Sequence, residues 1–260
     1  VDALRRRFAE LVNEPDPGPD RLAEAALIIA AAVEPSTEVG FELDRLGALA
    51  ASCTATDAGA LSDELFGSGR FAGNQGDYYD AANSVLPRVL DRGLGIPITL
   101  AVLFIDVARR RDIIVQGVGM PGHFLTRSGD VFFDPFHGGI ALDEAGCERI
   151  YQRLAGRPVS LPSGALDPTP EPVILQRMLW NLRSIAEGRN DGELRFRVLG
   201  LLQTFDDMSL QVRMAWASSL AERGQFGEAA IAAEAAAERA PEAASARLRA
   251  MAERWAARLN

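Results

Sequence analysis

Pro121-Gly122-His123-Phe124-Leu125-Thr126-Arg127-Ser128-Gly129-Asp130-Val131-Phe132-Phe133-Asp134-Pro135-Phe136 is the stretch whose reading decides the fold. Ser128-Gly129-Asp130 is a turn signal between two apolar runs, so an antiparallel hairpin is predicted, with His123 and Asp134 on neighbouring strands and roughly opposite each other. A base and its orienting carboxylate are commonly held this way. Cysteine acyl-transfer sites need such a pair plus a nucleophile at a helix N-terminus. His123 is one of two histidines in 260 residues.

Upstream of the hairpin, Ile113-Ile114-Val115 reads as a β-branched strand leading through Val118-Gly119-Met120. Before it, Ile98 to Arg111 reads as a helix that is apolar on nearly every side until Asp106, which marks a buried central helix. Pro97 suits its first turn, where a missing N–H costs nothing. One buried helix on a short antiparallel sheet predicts an α+β domain.

Texture changes on both sides of this core. In the first 69 residues Leu22, Ala25, Ala26, Ile29 and Val33 recur at helical spacing until Pro35, and Phe41, Leu43, Leu46, Leu49 and Ala50 begin a second helix that ends near Cys53. Phe71 to Asp80 is a loop rich in Gly, Asn, Asp and aromatics, followed by a short helical turn from Asn83 to Leu90. Pro158, Pro162, Pro168, Pro170 and Pro172 mark a linker, and from Pro170 the chain is Ala-rich and helical. There Gly224, Phe226, Ala229, Ala236 and Pro241 fall where a tetratricopeptide repeat places its turn glycine, aromatic, packing alanines and closing proline. A degenerate copy turns at Asn190-Asp191-Gly192. Such arrays need about three repeats to bury their faces, which favours a helical cap over a free-standing array. The expected domains are a helical lead-in (1–69), an α+β core (70–165) and a tetratricopeptide-like tail (170–260).

Composition narrows the function. With 48% hydrophobic residues the chain can bury a full core. Its formal net charge of −9 repels phosphate backbones and anionic lipid, so neither nucleic acid nor membrane is expected as a partner. Cys53 and Cys147 are too few for a disulfide framework, the apolar runs are too short to span a bilayer, and Arg5-Arg6-Arg7 precede no signal-peptide core. A cytoplasmic location is expected.

The ordered motifs Phe71-Ala72-Gly73-Asn74, Tyr79-Asp80, Asn83-Ser84, Val89-Leu90-Asp91-Arg92, Gly95-Ile96-Pro97-Ile98-Thr99-Leu100, Pro121-Gly122-His123-Phe124-Leu125 and Asp134-Pro135-Phe136 resemble the SirB1 family of transglutaminase-like proteins. The resemblance implies a papain-like α+β core with a helical repeat region behind it. In the wider superfamily the catalytic groups are a Cys at the start of the buried helix, then a His and an Asp on successive strands. His123 and Asp134 match the last two. The cysteine has no match, because Ile96, Pro97, Ile98 and Thr99 occupy the helix start.

Thr99 is the remaining nucleophile-type side chain there, with capping or packing as its competing role; its hydroxyl is a far weaker nucleophile than a thiol. Cys147 follows Asp143-Glu144 near a helix start, where acidic neighbours oppose a thiolate. Tyr78, Tyr79, Asp80 and Asn83 are expected over the start of the buried helix, as groove walls, anion donors or loop staples. His137 is expected to line the same cleft or to be solvated. A two-His-one-carboxylate metal site is disfavoured, since His123 and His137 project from a strand and a flexible turn with no third ligand at helical spacing. No metal or cofactor is therefore expected. Two functions follow: a thiol-less transglutaminase fold that binds a protein or peptide as a regulatory or scaffold component, or an acyl-transfer or amide-hydrolysing enzyme using His123 and Asp134 with Thr99 or Cys147.

Overall fold

The run from Ile98 forms the buried helix expected of it, α6 (Pro97–Arg110), in which every residue from Pro97 to Ala108 is shielded from solvent. Pro97 sits in the first turn, and Arg110 reaches back one turn to Asp106 at 2.9 Å. Burial pushes the Asp106 carboxyl up, and the Arg110 pairing works against that shift. These features come from a computed structural model that describes residues 2–14 and 20–259. The chain forms two units, Glu14–Ile185 and the pair of segments Val1–Asn13 and Ala186–Asn260.

In the first unit α6 packs on a four-stranded antiparallel sheet, β3 (Gln116–Val118), β4 (Leu125–Ser128), β5 (Val131–Asp134) and β6 (Ile140–Leu142), in that spatial order. The architecture is α+β. The hairpin turns at Ser128–Val131, and Thr126 pairs with Phe133. Because side chains alternate along a strand, Phe133 meets Phe104 of α6 edge-on at 5.9 Å while Phe132 joins a cluster on the opposite face. That cluster gathers Val118, Met120, Leu125, Cys147 and Ile150 under α7 (Glu144–Ala155). Asp143 caps α7 through the Gly146 N–H at 2.7 Å.

One strand lies elsewhere than predicted. Ile113-Ile114-Val115 is not β; pairing starts at Gln116. Asp112 adopts a left-handed φ of 58° and the Ile113 N–H closes on the Ala108 carbonyl at 2.9 Å, so the chain is still leaving α6 where β-branching predicted a strand. Ile114 is left exposed.

The preceding helices fall where the periodicity put them, with α2 (Arg21–Val33) ending just before Pro35 and α3 (Val39–Ser52) capped by the buried Cys53, but Phe41, expected on the apolar face of α3, is 60% exposed. Next come α4 (Ala58–Ser62), which runs into a π turn, then β1 (Ala72–Gly73), a 3-10 turn (Ala81–Ser84), α5 (Leu86–Arg92) and β2 (Leu94–Gly95). The short strands pair in parallel, Gly73 opposite Gly95, which delivers the chain to the start of α6. All of these share a unit with the sheet, as does α8 (Glu171–Gly188) up to Ile185.

In the second unit, α1 (Asp2–Asn13) sets Phe8 edge-on to Phe205 at 5.6 Å. It packs with α9 (Gly192–Leu202), and α10 (Leu210–Glu222), α11 (Phe226–Glu238) and α12 (Glu242–Ala256) follow. Ala217, Ala233 and Ala252 form one of its buried clusters, and their short side chains let the last three helices approach closely. The turns fall at the predicted places, with Asn190 and Gly224 both at positive φ. Among the described residues no helix is long and apolar enough to cross a membrane.

Candidate functional site

His123 reaches its place through a turn rather than a strand. The His123 N–H bonds the Met120 carbonyl at 3.1 Å, with Pro121 and then Gly122 (φ 77°) between them. Proline followed by a left-handed glycine is the sequence requirement of a type II turn. The expectation that His123 lies on the strand is therefore corrected: β4 starts two residues later, at Leu125. The imidazole nevertheless meets Asp134, with Nε2 2.9 Å from Oδ2.

Asp134 ends β5 and also caps the 3-10 turn Pro135–His137. Its Oδ1 accepts the Phe136 N–H at 3.1 Å and the His137 N–H at 3.3 Å. That leaves Oδ2 for the imidazoles, and His137 Nδ1 takes it at 2.7 Å. Asp134 is fully buried and His123 nearly so, whereas the His137 side chain is 41% exposed. Burial would raise the Asp134 carboxyl, but the bonds from His123 and His137 hold it below the usual carboxylate range. The objection that a strand and a flexible turn keep the two histidines apart is corrected too. Their ligand-type nitrogens and the Asp134 oxygen lie within 4.8 Å of one another.

Phe136 is the hub of this corner, with the rings of Tyr78, His123 and His137 around it at 5.9, 6.2 and 5.1 Å. Gly73 lies so close beneath that a Cβ there would overlap both the ring and the carbonyl of Phe136. Through Gly73 and its partner Gly95, the helix start and the hairpin end form one neighbourhood.

The loop candidates separate. Asn83 is completely buried; its Nδ2 donates to the Asp77 carbonyl at 2.7 Å and the Tyr78 carbonyl at 3.3 Å, and its Oδ1 accepts from Asn74 at 3.0 Å. Its donors are used within the loop, so it is a staple. Asp80 caps the 3-10 turn through Ala82 and pairs with Arg92 at 2.7 Å, which gives it the same structural duty. Tyr78 lies on Phe136 at the site, and Tyr79 stands outward, 75% exposed.

The helix start is chemically silent. Thr99 is fully buried and its hydroxyl has no hydrogen-bond partner among the described residues. The ring of His123 bonds Asp134 and no other group among the described residues. Cys147 sits in the apolar cluster under α7, where burial, then Asp143, Asp134 and Glu144, push its thiol up to about 11. Cys53 is buried, and its thiol is raised by burial and by Glu64.

Two residues at the site escape the sequence reading. Arg177 of α8 donates to the His123 carbonyl at 3.2 Å and lies over the Phe124 ring at 5.0 Å; burial lowers its pKa. It stands 54 residues from His123, beyond the proline-rich linker, and no local pattern links the two. Asn74 holds Asn83 and accepts the Asp77 N–H. Its place between Gly73 and Gly76 in a polar loop was the available signal.

A family model described as the transglutaminase-like superfamily matches residues 30–180, more than half of the chain. A UPF0162 protein of Xylella fastidiosa is 43% identical over 138 residues, 50% of this chain and 49% of that protein. A UPF0162 protein of Pseudomonas aeruginosa is 34% identical over 177 residues, 64% of this chain and 65% of that protein. Human F-box only protein 21 is 32% identical over 145 residues, covering 51% of this chain and 22% of that protein. The chain thus spans about half the length of the Xylella relative and a smaller share of the F-box protein. No solved structure matches.

Proposed function

The chain belongs to the transglutaminase-like superfamily, and from that premise we propose that it is a SirB1-type protein whose active centre has lost its thiol. Its cleft, with the tetratricopeptide-like tail, binds a protein or peptide as a regulatory or scaffold component in the cytoplasm. The observation that carries this reading is the absence, among the described residues, of a nucleophile at His123: the Thr99 hydroxyl is buried and unbonded, and the Cys147 thiol lies in an apolar cluster at a pKa of about 11. A thiol at that pKa is almost wholly protonated at neutral pH and is a poor nucleophile. Acyl transfer needs a nucleophile within hydrogen-bond reach of the base. Groups suited to holding a polar chain remain: the outward Tyr79, Tyr78 on Phe136, and the partly exposed His137.

The competing enzyme reading keeps one observation in its favour, the intact His123–Asp134 pair at 2.9 Å. Affinity capture with wild type and His123→Ala in parallel, alongside assays of ester, amide and glutamine-transfer turnover, separates the two. The expected result is a partner held in stoichiometric amount by wild type and weakened in His123→Ala, with no turnover from either. Turnover by wild type that disappears in His123→Ala would sink the binding reading.

A further inference from the structure

The convergence of His123, Asp134 and His137 does more than orient one imidazole. A dyad needs one histidine; here two imidazole nitrogens meet the same carboxylate oxygen, at 2.9 and 2.7 Å, from the two chain segments that flank the open end of one hairpin. The second carboxylate oxygen is pinned by the Phe136 and His137 N–H groups, so Oδ2 cannot turn away. Both rings are braced by Phe136, their centroids 5.6 Å apart and their planes inclined by 41°. His137 lies at the surface, its side chain 41% exposed.

We propose that His123 Nε2, His137 Nδ1 and Asp134 Oδ2 form a binding site for a divalent cation of borderline softness, with Zn2+ the best match. Two imidazoles and a carboxylate suit that class, whereas Mg2+ and Ca2+ take oxygen ligands and Cu+ takes thiolate or thioether sulfur. Three protein ligands leave at least one position for water or an incoming donor. Bonds of about 2.0–2.1 Å in a tetrahedral arrangement put ligand atoms about 3.3 Å apart. Entry of the ion therefore widens both contacts to Oδ2 by about half an ångström. Coordination through His123 Nε2 and His137 Nδ1 requires the tautomers that carry the proton on the other ring nitrogens, His123 Nδ1 and His137 Nε2. Asp134 Oδ1, held by two backbone N–H groups, then serves as the fixed support that metal ligands commonly have.

The inference does not rest on the proposed partner binding, and its test reads the metal alone. The chelator-treated 260-residue chain is titrated with Zn2+ by calorimetry and with Co2+ by visible absorption, beside His137→Ala and His137→Asn. These two variants change a partly exposed side chain, and matched melting curves establish that both fold. Because the chain has two histidines and two cysteines, the ligand field is unambiguous. One ion per wild-type chain is expected, with Co2+ bands lacking a thiolate charge-transfer transition and affinity reduced at least about tenfold in both variants. Wild-type binding matched by the variants, no saturable binding at micromolar metal, or a thiolate band would each overturn the assignment.

Discussion

Two ends of one neighbourhood treat polar groups in opposite ways. At the hairpin end Asp134 is fully buried yet bonded to two imidazoles and two backbone N–H groups. At the helix start Ile96, Pro97 and Ile98 are buried and apolar, and the hydroxyl of Thr99 has no partner. A buried polar group is stable when satisfied and costly when not. The hairpin therefore keeps its charge without strain on the fold, while the helix start has become core with one orphaned hydroxyl. Among the described residues the helix start thus offers the hairpin no bonded polar group, and the hairpin end satisfies its own charge.

This comparison can be broken first at Asp134. Asp134→Ala strands His123 and two backbone donors in the interior, and a loss of about 3–5 kcal/mol in denaturant unfolding is expected. A loss under about 1 kcal/mol would mean that the hairpin end is not self-supporting. Gly73→Ala tests the joint between the two ends: its methyl overlaps Phe136, and overpacking against ring and backbone should cost about 2–3 kcal/mol and lower the melting temperature. An unchanged melting curve would detach the helix start from the hairpin.

A smaller effect belongs to Cys147. Its folded pKa, about 11, lies above the thiol's ordinary 9.0, so the contribution to stability is complete below pH 9 and is lost as pH rises from there through about 11. Chemical denaturation across that range should show the decline in wild type and a shallower one in Cys147→Ala. At neutral pH a thiol-reactive probe should label neither Cys147 nor Cys53 until the protein unfolds. The least effect is expected from Thr99→Val, which removes an unbonded hydroxyl while keeping the shape: within about 1 kcal/mol of wild type, on the stabilising side. Destabilisation beyond that would show that the hydroxyl has a partner in solution.

What was legible along the chain was whatever depends on neighbours in sequence. The apolar run from Ile98 fixed α6, Ser128-Gly129-Asp130 fixed the hairpin, and Asn190 and Gly224 marked turns, because periodicity and turn chemistry act within a few residues. Ile113-Ile114-Val115 misled because β propensity was outweighed by the geometry of leaving α6. The roles of Asn83 and Asp80 were not readable, since the same side chains can face a ligand or their own loop.

Residue types and spacing thus determined, unaided, that a histidine and an aspartate flank one hairpin and that no cysteine begins the central helix. Only the tertiary structure decided that His137 joins them on one carboxylate oxygen and that Arg177, from a distant helix, closes over the His123 backbone. It also decided that Cys147 is buried away from the histidine's reach. The reason is physical: local pattern sets which way a chain turns, but hydrogen-bond partners and burial are settled by segments that meet only when the whole unit packs.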